Sequence, residues 1–293
     1  MGAPASTARD GPIGSADRRT LRELAARLAE VAALPIQAER EGLWLALNRL
    51  RPERAMVLAQ VAVPVPEAVL QCEASLCRQW ERALRWKLWR HEHVPDDYPC
   101  TDFLDVRCAV EVGDYGVREG RIYGQVEGFG AYKIDPPIRS PEDLAKLRPR
   151  RIRVDHEATG RVAQAAEDLL GDILHVRRQG ETLCRDMLTR KLIHLRGFDQ
   201  FLLDLYDNPG LLHEMMGFLR DEALREWETY EREGALSLNN GPDHIRGTGG
   251  LTCTDELPAQ GFAGHVRMQD MVCFSESQES VGVGADLFGE FVL

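Results

Sequence analysis

Asp243 and His244 are neighbours in a glycine-rich stretch, a carboxylate beside an imidazole. Such a pair can accept and donate a proton near neutral pH. Asn239, Asn240 and Arg246 flank them and can bind a polar or anionic substrate, and Glu276 and Gln278 follow, a carboxylate and an amide two residues apart. The expectation is a pocket in which Asp243, His244 and Glu276 do acid–base work while Asn239, Asn240, Arg246 and Gln278 hold the substrate. Each residue also has a plainer reading. A loop histidine is commonly just solvated, and Ser275 or Ser277 beside Glu276 reads equally as a helix N-cap.

His91-Glu92-His93 looks at first like a metal pair. It ends a strongly periodic helix, where residues two apart point in different directions, so a solvated helix end fits better. The seven cysteines include no Cys-x-x-Cys pair. Their odd number and scattered spacing argue against a disulfide framework or a zinc knuckle, and reduced cytoplasmic thiols are expected. Cys253 and Cys273 flank the long loop, but two thiols alone do not hold zinc. Gly124, Gly128 and Gly130 form no dinucleotide-binding fingerprint after a strand. No metal site follows from the residues alone.

These residues need elements to position them. Leu21, Leu24, Leu28 and Val31 recur at helical spacing over 18–33, and a second helix is expected over 37–50. The apolar run 55–63 reads as a buried strand, 73–93 as a helix with Leu76, Trp80, Leu84 and Leu88 on one stripe, and 102–112 as a strand. The glycine-rich 113–130 reads as hairpin or loop, and Ser140 caps 141–147 with proline at the first helical position. Helix at 155–170, strand at 172–176, helices at 181–192, 198–206 and 209–232, and strand at 236–238 complete an alternating pattern. That alternation argues for α/β, a parallel sheet with helices outside it. Residues 239–264 then form a long polar loop, which placed after a strand would cover the sheet's mouth. Residues 1–17 are expected as a disordered leader, 18–54 as an N-terminal helical segment and 55–293 as the main domain.

The net charge of -11 disfavours a nucleic-acid partner, which needs clustered Lys and Arg. No apolar run of about 18 residues is present, so no membrane span is expected.

Several segments resemble the uroporphyrinogen decarboxylase superfamily. Residues 234–240, Gly234 to Asn240, resemble the family's strand after a long helix. Residues 277–293 resemble a helix start of the family, with Gly284-Ala285-Asp286 in place of Ser-Pro-Glu. The segment Met56 to Val61 after Arg51-Pro52-Glu53-Arg54, and the helix from Asn208-Pro209 with Leu211-Leu212-His213, are similar to further members' elements. The resemblance covers roughly 37–293. It implies a TIM (β/α)8-type barrel with its site at the C-terminal mouth of the strands. The last residues, 285–293, read as a helix with no terminating signal, so a chain that stops before the barrel closes is expected, with a homodimer covering the open edge.

The resemblance implies either of two activities. The first is methyl transfer from a corrinoid to a thiol, with a corrinoid protein as partner and with zinc and a corrinoid as the cofactors of a full-length product; the His-x-Cys pair that holds zinc in that branch does not occur in this chain. The other is decarboxylation of a small or tetrapyrrole carboxylic acid. The decarboxylases hold substrate carboxylates with arginines of an N-terminal Met-Arg-Gln-Ala-Gly-Arg motif, whereas 60–65 here, Gln60 to Val65, carries none. A small acid would need another arginine, with Arg246 the sequence candidate. A non-catalytic fragment or corrinoid-protein-binding subunit is the reading from a different class.

Overall fold

The computed structural model describes residues 13–61, 64–123, 132–183, 185–245 and 249–293. In chain order the elements are α1 (Ser15–Ala32), α2 (Pro35–Asn48), α3 (Ser75–His93), β1 (Phe103–Arg107), β2 (Ala109–Val112), β3 (Gly120–Tyr123), β4 (Tyr132–Asp135), β5 (Ile152–Asp155), α4 (His156–Leu170), β6 (His175–Gln179), β7 (Arg185–Asp186), α5 (Leu188–Arg196), α6 (Phe198–Asp207), α7 (Pro209–Arg232), β8 (Phe274–Ser275) and α8 (Ala285–Phe291). The chain is mixed α/β. Its sheets are two-stranded, and among the described residues they do not close into a barrel.

Two compact units share the chain. One takes residues up to 110, 154–183 and 234–272; the other takes 111–153, 184–233 and 273–293.

The first unit is built on α1 against α3. Leu21, Leu24 and Leu28 of α1 meet Cys77, Trp80, Leu84 and Leu88 of α3, and Leu104, Val106, Ala166, Leu169 and Leu170 complete the same core. Each fully buried leucine contributes about 2 kcal/mol. Two buried carboxylates serve the backbone instead of chemistry. Asp17 accepts from the Glu73 and Ala74 amides at 3.0 Å, ahead of α3, and Glu81 accepts from the Gln71 and Cys72 amides. Pro35, a break in the sequence pattern, is the first residue of α2, where its missing N–H costs nothing.

β1 and β6 pair in parallel with Asp105 opposite Arg177. A parallel bridge then joins Glu181 to Leu236. The two chains approach so closely there that a Cβ on Gly180 would lie 2.2 Å from the Ala235 carbonyl oxygen. Only glycine fits. Leu104 and Val106 enter the core. By alternation, Phe103, Asp105 and Arg107 lie on the opposite face of β1.

The expected strand over 55–63 does not form in its described part, 55–61. Its backbone is satisfied by side chains rather than by a sheet: Val57 N–H donates to Asp97 at 2.8 Å, Ala59 N–H to Asp96 at 2.9 Å, and Arg90 donates to the Ala59 carbonyl at 2.9 Å. The expected strand 102–112 is two strands, β1 and β2.

In the second unit α5, α6 and α7 pack through Leu192, Leu195, Phe201, Leu205, Leu212, Met215 and Leu219. Arg196 and Asp204 are both buried and joined at 2.6 Å, with Gln200 and Asn208 also donating to Asp204. β3 and β4 pair antiparallel, Gly120 opposite Asp135; residues 124–131 lie outside the described residues. The helix expected over 181–192 begins only at Leu188. The residues before it are diverted: Glu181 bridges to Leu236, and Arg185–Asp186 pair in parallel with β8.

Candidate active site

The polar face of β1 and β6 carries the first charges. Asp105 and Arg177 face each other in register, and Arg177 Nε donates to Asp105 Oδ1 at 2.7 Å. Arg177 Nη2 donates to Asp243 Oδ2 at 2.5 Å. The guanidinium also sits 3.7 Å from the Phe103 ring centre, a cation–π contact that fixes its plane. One arginine therefore ties the loop carboxylate to the sheet.

The loop is held from the other side by α2. Trp44 packs with Leu251 and Cys253, and Asn48 Nδ2 donates to the Leu251 and Cys253 carbonyls at 2.8 and 2.7 Å. Asn239 is fully buried. It donates to the Thr182 and Val272 carbonyls and accepts from the Val272 amide, each within 2.9 Å. Asn240 donates to the Thr254 and Leu257 carbonyls. Both amides, expected to hold substrate, spend their donors on backbone carbonyls, Asn239 outside the loop and Asn240 within it. Arg246 lies outside the described residues.

Asp243 and His244 come together with the network as a pair. The Asp243 side chain is 8% exposed, and His244 Nε2 lies 3.7 Å from Asp243 Oδ1. Among the described residues that oxygen accepts no hydrogen bond. Burial pushes the Asp243 carboxyl up, but His244, Arg177 and Lys87 outweigh it and hold it below the usual aspartate value.

Lys87 of α3 completes the cluster. Its Nζ donates to the Phe103 carbonyl at 2.7 Å and to the Thr101 carbonyl and hydroxyl at 3.3 Å. Burial lowers its ammonium below the ordinary lysine value, against the opposing pull of Asp105 and Asp243. Tyr98 donates its hydroxyl to the Asp243 carbonyl at 3.3 Å, and burial pushes its phenol up. Asp105, Arg177, Asp243 and His244 thus meet in one cluster, with the Lys87 amine held on the backbone of Phe103 and the Tyr98 phenol on that of Asp243. Such a set can bind an anion, give a proton and accept a hydrogen bond from a substrate.

No family model, curated protein or solved structure matches the chain. The site has to be judged on its own geometry.

Glu276 and Gln278 belong to the second unit, where Gln278 Nε2 donates to Glu276 Oε2 at 3.0 Å. Ser277 instead faces Ser280 and Thr189, with oxygens at 2.5 and 2.9 Å. On α3 the three residues 91–93 take separate partners: His91 approaches Gln37, Glu92 pairs with Arg27, and His93 reaches the Trp89 carbonyl. Among the described residues no three His, Cys, Asp or Glu side chains converge as a metal requires. The described donors therefore do not fit the zinc implied by the resemblance, and no step is drawn through it. Cys72, Cys77, Cys100, Cys108, Cys253 and Cys273 are not joined in disulfides among the described residues.

Lys87, Asp105 and Arg177 are absent from the sequence candidates. A local irregularity marks two of the three, though nothing along the chain joins them. Lys87 sits beside Leu84 and Leu88 on an otherwise apolar stripe, and Asp105 lies between the buried Leu104 and Val106, whereas Arg177 is followed by the exposed Arg178.

Proposed function

We propose that the chain is an acid–base enzyme of the uroporphyrinogen decarboxylase-like type, acting on a small carboxylic acid, with decarboxylation as the reaction class. The observation that carries this reading is the buried Asp243 carboxylate, tied by Arg177 to Asp105 with its Oδ1 accepting no hydrogen bond among the described residues, together with the buried Lys87 amine on the Phe103 carbonyl of the same strand pair. The parallel pairing of β1 with β6, followed by the Leu236 bridge, supports a barrel-type sheet with this cluster on its polar face.

In this reading Arg177 anchors one substrate carboxylate. Its Nε and Nη2 hold Asp105 and Asp243, and Nη1 faces the substrate. Asp243 Oδ1 accepts from a substrate hydroxyl or enol. The bond to the departing carboxyl carbon breaks, carbon dioxide leaves, and the electron pair left on carbon takes a proton from the Lys87 ammonium. A lysine with a lowered proton affinity is the better donor at neutral pH.

The test is carbon dioxide release from a panel of malonate, acetoacetate and 2-oxo acids, with methyl transfer from methylcobalamin to a thiol run in parallel. Turnover of one acid is expected, with Lys87→Met lowering it about 100-fold or more and Arg177→Gln chiefly raising KM. Absence of release from the whole panel, or full activity in Lys87→Met, would discard the decarboxylase reading. Methyl transfer alone would replace it with the corrinoid one.

A further inference from the structure

Behind Lys87, on the side of α2 and the end of α3, lies a narrow cleft lined by Arg40, Lys87, Arg90, His91, Asp96 and Thr101, with Val94, Tyr98 and Cys100 closing it. Its free space is about 10 Å³, room for one water-sized occupant. Two guanidiniums, Arg40 and Arg90, and the Lys87 amine line it, against one carboxylate, Asp96.

The donors in this cleft exceed the acceptors. Arg90 is 3% exposed, and its Nη2 donates to Asp96 at 2.5 Å and to the Ala59 carbonyl at 2.9 Å. Its Nε is buried and has no acceptor among the described residues. A charged, buried donor left without an acceptor is costly. Arg40 donates one bond, to the Tyr98 carbonyl at 3.3 Å. The three acceptors of Lys87 are neutral oxygens.

His91 adds a further donor. Gln37 Oε1 accepts from the Cys100 amide at 2.9 Å, which fixes the amide so that its Nε2 faces His91 Nδ1 at 3.5 Å. With Nδ1 as the acceptor, the ring's N–H is on Nε2. Burial keeps the Cys100 thiol protonated, so it adds no negative charge. A lone neutral water would meet an excess of donors, whereas a small anion answers both the charge and the hydrogen-bond count.

We infer that this cleft is a binding site for a small monovalent anion of halide size. The inference rests on the cleft's cations and the unanswered Arg90 Nε and does not depend on the reaction proposed above. Because Lys87 lines both places, a bound halide strengthens the hold of its proton and couples anion occupancy to the cluster on the sheet.

The experiment uses the full chain dialysed into sodium gluconate. Chloride and bromide are added at constant ionic strength, and binding is read from chloride-35 NMR line width together with the thermal midpoint. Saturable broadening, displaced by bromide and accompanied by a rising midpoint, is expected. Arg40→Gln, outside the proposed catalytic cluster, is expected to raise the chloride dissociation constant about tenfold. Arg40→Lys, which keeps the charge, restores most of the affinity. Line width and midpoint that are the same in chloride and gluconate would show that water alone fills the cleft and overturn the proposal. Saturable binding that Arg40→Gln leaves unchanged would overturn it for this cleft.

Discussion

Asp243 is charged in a place that disfavours charge, and its partners decide the outcome. With its side chain 8% exposed, burial alone would raise the carboxyl, yet His244, Arg177 and Lys87 hold it below the usual aspartate value. The sign of the pH dependence follows. As pH falls, the unfolded chain takes up this proton first, so the stabilisation is complete above the unfolded value and is lost as pH falls through the folded one. Urea unfolding measured from about pH 6 to pH 3 is therefore expected to show a shallower acid decline for Asp243→Asn than for the native chain, with lower stability at neutral pH. Parallel curves would show that Asp243 is not the titrating group. At this scale Asp243 and His244 were legible because they are adjacent. Asp105 and Arg177 were not, because 72 residues separate them and only strand register joins them.

At the scale of elements, the β1–β6 pair and the chain that follows it place the cluster. Gly180 lets the segment at Leu236 approach, since an added Cβ would meet backbone rather than a movable side chain. Gly180→Ala is expected to cost about 3 kcal/mol, read from the denaturant midpoint, and a loss below about 1 kcal/mol would mean the approach is soft. The helices α1, α3, α4 and α7 were legible from periodicity, because burying one face is what makes them helical. The run at 55–61 misled because apolar composition alone does not provide a strand neighbour. Asp96, Asp97 and Arg90 satisfy its backbone instead.

At the scale of the whole molecule, two cores divide one chain that passes between the units five times, at 110/111, 153/154, 183/184, 233/234 and 272/273. Neither unit is a continuous segment, so neither can unfold without releasing both ends of inserted pieces of the other. One calorimetric transition is expected, and Leu84→Ala in the first core and Leu212→Ala in the second should each lower the same midpoint, at a cost of about 3 kcal/mol apiece. Two resolved transitions, each moved by one variant only, would show independent units.

Composition and spacing decide the α/β class, the long helices, and the adjacency of Asp243 and His244, because these depend on neighbours along the chain. Which groups surround those two residues was decided only by tertiary structure. Asn239 and Asn240 are drawn into holding backbone carbonyls, while Lys87 from α3 and Arg177 from β6 bring their charges to the pair. The physical reason is that burial and strand register are set by residues far apart in sequence, and both the electrostatics of Lys87 and the partner of Arg177 follow from them.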